Sequence, residues 1–434
     1  MLLWLSVMLS CDETPITEKT QASTPKTITT QPKPKTETNS KTTPSTLPKT
    51  SPRSYNETNI HELDVHVSLQ EKKISDPISL SPVHEATRNA LKGMVQQHGL
   101  LIDNPWALLH ALLALGPNAK LPDGSSAVET LFTEHAEQSF QNRLIQFPKS
   151  KKQNGKNILI EPHTDLALKV LSEIGVSPSQ TYSIQGKSYS FADLFRSSLL
   201  ETHLDPKKNI SSFSSPNDTP WSIQGLSTYL RPGTTWESKG MVMNLENLTS
   251  FLMAVVYQET RFMAQAYQNQ QKFEKKKQGI FKYTCGGMHL IQALAYAHAR
   301  GFGNDKSKPI IEEQAVLLYY RFPIELAIYD QLLQAHPQYK QQLLVQRLKF
   351  VGHFLETTAK LEIMGFYRPS ESMRTMQKGA LDQLSLTTEA LRKDGVIQDP
   401  SKASTDQLAL DLIGDGAHAV YGVELISGLR GIRF

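Results

Sequence analysis

From Ser81 onward the apolar residues recur at helical spacing. Ser81-Pro82 predicts a helix start, with Ser as N-cap and Pro in the first helical position. That helix runs to His98 and stops at Gly99. The next stretch, Asn104 to Gly116, is apolar almost throughout, which predicts a buried helix rather than an amphipathic one. Amphipathic and apolar stretches then alternate. Ala127–Gln141, Phe191–Leu204 and Leu245–Phe273 are amphipathic, whereas Thr164–Ile174, Trp221–Leu230 and Met288–Ala299 are shorter or more apolar. The series continues with Ile310–Gln334 and Gln341–Met364, then Ser372–Arg392 and Asp406–Ile426. The pattern predicts six outer and six inner helices. Two connections repeat: Gly116, a Leu-Pro-Asp-Gly124 turn and Leu131-Phe132 parallel Gly175, an Ile-Gln-Gly186 turn and Leu194-Phe195. An interval of about 60 residues is the mark of an internal repeat.

Five histidines keep register with these helices: His110, His163, His289, His353 and His418. From His289 to His353 is 64 residues, from His353 to His418 is 65, and from His163 to His289 is 126, close to twice the same step. The first gap, from His110 to His163, is 53, and the skipped slot falls near Leu226, in Trp221-Ser-Ile-Gln224-Gly225. One histidine on an apolar helix is more often a satisfied core residue than a ligand. Five in register predict side chains sharing one cavity. The fold expected is all-α: an (α/α)6 toroid of six helical hairpins whose parallel inner helices line a central cavity. An open α-solenoid is the alternative. Contact between Pro82–His98 and Asp406–Ile426 separates the two. The remaining histidines, among them His84, His98, His135, His203 and His336, read as surface or loop residues.

The first 80 residues have a different character. Met1–Ser10 is an apolar run too short to span a bilayer, and it reads as a signal peptide. Residues 11–54 carry no aromatic residue and are dominated by Thr, Pro, Lys and Ser, so they bury too little apolar surface to offset chain entropy and read as a disordered tether. Residues 55–80 read as an extended arm, with the alternating stretch His61–Leu69 as an edge strand or a segment packed on the toroid domain, residues 81–434. The whole chain has 434 residues, a net charge of +4 and two cysteines. So weak a charge argues against a nucleic-acid partner. Two cysteines exclude a disulfide scaffold and a Cys-rich zinc ribbon.

Cys285 begins the sequence Cys285-Gly286-Gly287-Met288-His289 at the start of an inner helix. The two glycines call for backbone freedom or close approach, and a helix N-terminus favours the thiolate. His289 follows four residues on, one turn away if the helix already includes Cys285. Thiol and imidazole at that spacing support two chemistries. One is a zinc site, with Cys285, His289 and a histidine from a neighbouring helix such as His163 as ligands. The other is a Cys285 nucleophile with His289, His163 or His353 as base. Packing of a small residue at a tight helix start is the plain alternative. Gly352-His353-Phe-Leu-Glu356 places an imidazole and a carboxylate on one face, so that Glu356 orients the ring or acts as general base. Trp106 and Trp221 line the cavity or serve as core.

Two resemblances add to this. Met8-Leu9-Ser10-Cys11 resembles the lipobox of bacterial lipoproteins. It implies cleavage before Cys11, lipidation there, and anchorage to a membrane of the cell envelope, facing the periplasm or the exterior. Asn104 to Glu356 resembles a widespread group of uncharacterised secreted bacterial proteins, common in planctomycetes. The matching pieces are His110–Gly116, His163, Cys285–His289 and Gly352–Glu356, with Met288 where that group carries Thr. By analogy of fold the scaffold is similar to terpenoid-cyclase and prenyltransferase toroids, some of which hold zinc with Cys and His; fold alone does not fix function.

The expectation is therefore a monomeric, membrane-anchored envelope lipoprotein. Its Cys/His-lined cavity would serve a zinc-dependent or Cys/His hydrolase or lyase acting on a glycan or peptide, with Cys285, His289, His353 and Glu356 catalytic and His110, His163, His418, Trp106 and Trp221 lining the cavity. The alternative is a binding or structural lipoprotein with core histidines.

Overall fold

A computed structural model describes residues 54–65, 69–153, 155–276 and 278–433. The signal peptide, Cys11 and nearly all of the tether lie outside the described residues. Residues 54–434 make one compact unit.

The apolar pattern becomes twelve α-helices among the described residues. They are α1 (Pro82–His98), α2 (Pro105–Leu115), α3 (Ala127–His135), α4 (Leu166–Ile174), α5 (Phe191–Glu201) and α6 (Thr219–Tyr229), then α7 (Leu245–Gln268), α8 (Met288–Ala299), α9 (Ser307–Ala335), α10 (Lys340–Ile363), α11 (Glu371–Lys393) and α12 (Asp406–Ile426). Helix α1 starts as its sequence predicts. The Ser81 side chain accepts from the His84 amide, the His84 ring reaches back to the Ser81 amide, and Pro82 opens the first turn.

Burial divides the helices into two kinds. Every residue of α6 is buried, as is α12 from Asp411 to Ile426. By contrast α1 buries only Thr87, Leu91, Met94 and Val95. The buried helices pack on one another in sequence, α2 on α4, α4 on α6, α6 on α8, α8 on α10 and α10 on α12. Helix α12 packs in turn on α2 and on α1, so the first and last hairpins of the series touch. The crossing of α10 and α12 is close because glycines face it. A Cβ on Gly352 would lie 2.9 Å from Ala419 Cα, and one on Gly422 would lie 2.8 Å from the Glu356 amide nitrogen.

The chain is mainly helical but not all-α. Thirteen short strands, numbered in chain order, form six small sheets among the described residues. One of these is the expected connection through Gly186 and a second has the same form at Gly240, whereas the expected connection through Gly124 makes the isolated bridge Lys120–Ser126. Strands β7 (Thr181–Ile184) and β8 (Lys187–Ser190), and again β11 (Thr235–Ser238) and β12 (Met241–Asn244), form hairpins that lead straight into α5 and α7. Their two-residue turns, Gln185-Gly186 and Lys239-Gly240, hold both residues at positive φ, the twist that suits tight hairpins. Strands β3 (Glu137–Ser139) and β4 (Leu144–Gln146) correct the helix expected to Gln141. It ends at His135 because Phe140, Gln141 and Asn142 take positive φ to turn the chain back. Helix α7 likewise stops at Gln268, five residues short of Phe273.

The expected edge strand at 61–69 is absent from its described residues. Ile60–Glu62 is a 3-10 turn, and Ile60, Leu63 and Val65 are buried as a packed arm. The pairing is made on either side, by β1 (Ser54–Tyr55) parallel to Thr235–Trp236 and by β2 (Glu71–Lys72) antiparallel to β13 (Ile432–Arg433). Arg430 donates to the carbonyls of Leu113 and Ala114 at the end of α2. No helix among the described residues is long and apolar enough to cross a membrane.

Candidate metal centre

The inner helices bring histidines from distant parts of the chain to one place. His353 on α10 and His289 on α8 approach to 3.3 Å between their Nε2 atoms. His418 on α12 is tilted against His353, with ring centroids 4.2 Å apart, and lies 5.4 Å from His289. His110 on α2 meets His418 edge-on at 5.5 Å.

The tautomers of three rings follow from their partners. His353 Nδ1 lies 3.0 Å from the Lys349 carbonyl, His110 Nδ1 lies 2.8 Å from the Trp106 carbonyl, and His418 Nδ1 lies 2.7 Å from Glu356 Oε2. A carbonyl or an ionised carboxylate only accepts, so each Nδ1 carries the proton and donates it. In the neutral rings Nε2 is then a lone pair. Burial, and after it the neighbouring His353 ring, holds His289 well below the usual imidazole range. Burial and then His418 do the same for His353 and bring His110 down to about 3. These three rings are neutral donors at neutral pH.

Cys285 arrives by a different route from the one its spacing suggested. Helix α8 begins at Met288, so Cys285 is not on it. Cys285, Gly286 and Gly287 instead take three successive left-handed conformations, with φ of 55°, 59° and 74°. Such backbone costs a non-glycine residue about 1–2 kcal/mol. The glycines are required for space as well, since a Cβ on Gly287 would lie 2.3 Å from Ile280. The turn delivers the thiol so that the ligand atoms of Cys285, His289 and His353 lie within 4.8 Å of one another. The ligand atoms of His353, Glu356 and His418 likewise lie within 4.8 Å of one another. His163, expected as the third metal ligand, belongs to neither set; His353 takes that place.

Beneath the rings lies a chain of buried charge. Glu356 accepts from Lys360 at 2.5 Å, and Lys360 also pairs with Glu173 on α4. Lys169 reaches Glu173 at 2.8 Å, and Gln224 and Gln292 complete the network through Glu173 and Lys360. Burial alone would raise the Glu356 carboxyl, but Lys360 and then His418 outweigh it and hold the group well below its usual range. Lys169, Glu173 and Lys360 were not among the candidate residues. Their signal was present, since charges four apart on otherwise apolar helices have to pair inside.

Aromatic rings flank the histidines. Trp221 occupies the slot the histidine series skips; its ring stacks on His163 at 4.0 Å, nearly parallel, and tilts toward His289 at 5.2 Å. Trp106 covers His110 at 4.1 Å. Trp106, His110, His163 and Cys285 are half-buried, whereas His353, Glu356 and His418 are buried. His163 Nδ1 lies 3.8 Å from Asp218, which also accepts from the Thr164 amide and hydroxyl. His135, expected at the surface, is buried because its Nε2 bonds the Ile102 carbonyl. A surface groove of about 570 Å³ between α9, α10 and α11 shares no lining residue with the cluster. No protein-family model, curated protein or solved structure matches the chain.

Proposed function

We propose that the twelve helices close into an (α/α)6 toroid around a single metal centre, in which Cys285, His289 and His353 are the protein ligands and zinc is the ion. The contacts of α12 with α1 and α2 support closure over an open solenoid. The observation that carries the metal reading is the 3.3 Å between His289 Nε2 and His353 Nε2. Two nitrogens bound at Zn–N distances on a tetrahedron stand roughly 3.3 Å apart. A thiol and two neutral imidazoles are a donor set zinc favours. The bond from His353 Nδ1 to the Lys349 carbonyl is the orienting contact that metal-bound histidines make.

Three protein ligands leave one position open, as in catalytic rather than structural zinc sites. Zinc bound there supplies a Lewis acid and a water of lowered pKa. The chain's own groups shape the rest. His418, oriented by Glu356, presents Nε2 beside the ligand rings, and Trp106 and the Trp221–His163 stack flank them. The reaction class this favours is hydrolysis or elimination on a glycan or peptide. The lipobox-like Met8–Cys11 and the Thr/Pro/Lys-rich segment after it support a cell-envelope location with a lipid anchor on Cys11.

Elemental analysis of the purified full chain tests the reading. One zinc per chain, lost in Cys285→Ser, is the expected result. A metal-free protein whose stability ignores chelators sinks it and favours a binding or structural lipoprotein. A cysteine nucleophile is the second reading, favoured by the half-buried Cys285 held at positive φ in the turn before α8. Loss of activity on alkylation in protein that holds no metal would single it out.

A further inference from the structure

Cys285 reaches the histidines only through its left-handed turn, and that turn leans on one buried side chain of α9. Arg321 Nη1 donates to the Gly286 carbonyl at 3.0 Å. A Cβ on Gly286 would lie 2.3 Å from Arg321 Nη2, so the guanidinium fills the space that the missing side chain leaves. Arg321 is itself fixed. Its Nε pairs with Glu325 one turn later, and the other oxygen of Glu325 takes Lys275 at 2.6 Å. Arg321 and Glu325 are both buried. The guanidinium also lies over the Phe281 ring at 4.8 Å and within 6.0 Å of the Phe350 ring, three residues before His353. One side chain therefore touches both the turn that carries Cys285 and the helix that carries His353.

We propose that Arg321 is a positioning residue for the metal centre, holding the Cys285 turn against α10 so that the thiol stays within ligand reach of His289 and His353. The proposal rests on the metal reading above. An arginine suits the task because its planar fork bonds a carbonyl and a carboxylate at once, which the single ammonium of lysine does not reproduce. The ion pair with Glu325 serves to hold that fork in place rather than to contact the metal.

Cobalt titration of the metal-free full chain tests it, reading both the dissociation constant and the thiolate-to-cobalt charge-transfer absorption. The wild type should bind cobalt and show the thiolate band. Arg321→Lys should bind about 10- to 100-fold more weakly and lose most of that band at saturation, while ligand-field bands from the histidines remain. A role confined to stability would lower the melting temperature of the metal-free protein and leave the saturated spectrum as it is. If Arg321→Lys does not fold, Arg321→Met, which leaves Glu325 paired with Lys275, carries the test. A folded variant that binds cobalt within twofold of wild type and keeps the full band overturns the proposal. A wild type that binds no cobalt, or binds it with no thiolate band, overturns the metal reading itself, which distinguishes the two failures.

Discussion

Lys360 Nζ lies 2.5 Å from Glu356 Oε1, with both side chains wholly buried. The other oxygen of Glu356 accepts from His418, so one carboxylate ties the charge chain to the histidines. Removing a single partner from a buried ion pair leaves an uncompensated charge, which costs about 3–5 kcal/mol. Lys360→Met removes the cation shared by Glu356 and Glu173 and leaves the buried network, in which Lys169 still faces Glu173, with one negative charge in excess. Chemical denaturation should show a loss of that size, and Lys360→Met/Glu356→Gln should recover part of it. An unchanged unfolding free energy for the single variant would mean that the chain of charge does not hold the core.

Metal removal should change stability only where the ligands are intact. A ligand that binds the native state alone adds about 4 kcal/mol at a free concentration about 1,000 times its Kd. Chelation should therefore lower the melting temperature of the wild type. His289→Ala and His353→Ala, measured in the same way, should show no response to chelator or to added zinc. A chelator response that persists in both variants would move the metal elsewhere in the chain.

The carboxyl group of Glu161 gives a pH dependence with a definite sign. Burial, and then Asp165, push it well above the usual carboxylate range. A group whose pKa is raised by folding contributes stability in full below its unfolded value, and that contribution is lost as pH rises through the folded value. Glu161→Gln keeps an oxygen to accept from the Ala167 amide, a 2.7 Å bond in the wild type, and cannot ionise. The variant should gain on the wild type steadily from about pH 4 upward. Denaturation curves collected from pH 4 to 8 check this, and a gain that shrinks with rising pH contradicts it.

Gly352→Ala should separate α10 from α12. The added Cβ meets the Ala419 backbone, which cannot swing aside as a flexible side chain would. Overpacking of this kind costs about 1–3 kcal/mol. His353 is the next residue on α10 and Ala419 directly follows His418, so the shift acts on the site too. Weaker metal binding should accompany the loss of stability. Unaltered affinity in a destabilised but folded variant would show that the two helices can part without disturbing the ligands.

The helical pairing was legible because burial writes itself into the apolar pattern. Helices α8 and α12 run between the residues that the pattern named. The histidines were legible for a related reason: His289, His353 and His418, which meet in the fold, recur at the interval of the helix pairs. The short strands were not, because stretches of two to four residues are too brief for alternation to show. Cys285 was placed beside His289 correctly but by the wrong geometry, since a left-handed turn leaves no periodic trace apart from its glycines. His135 looked like a surface residue because its partner, the Ile102 carbonyl, is 33 residues away and belongs to the backbone.

The contacts of α12 also bear on the order of assembly. Helix α12 is the shared neighbour of α1, α2 and α10, and it carries His418 to a carboxylate 62 residues earlier. While a chain is still emerging from the ribosome, α2 and α10 have apolar faces with nothing to cover them until residues 406–426 appear. Contacts that join distant segments delay folding and prolong exposure of such faces. Assembly of the histidine cluster thus waits on nearly the whole length of the polypeptide, and a truncated product would lack both His418 and the helix that packs on α1, α2 and α10.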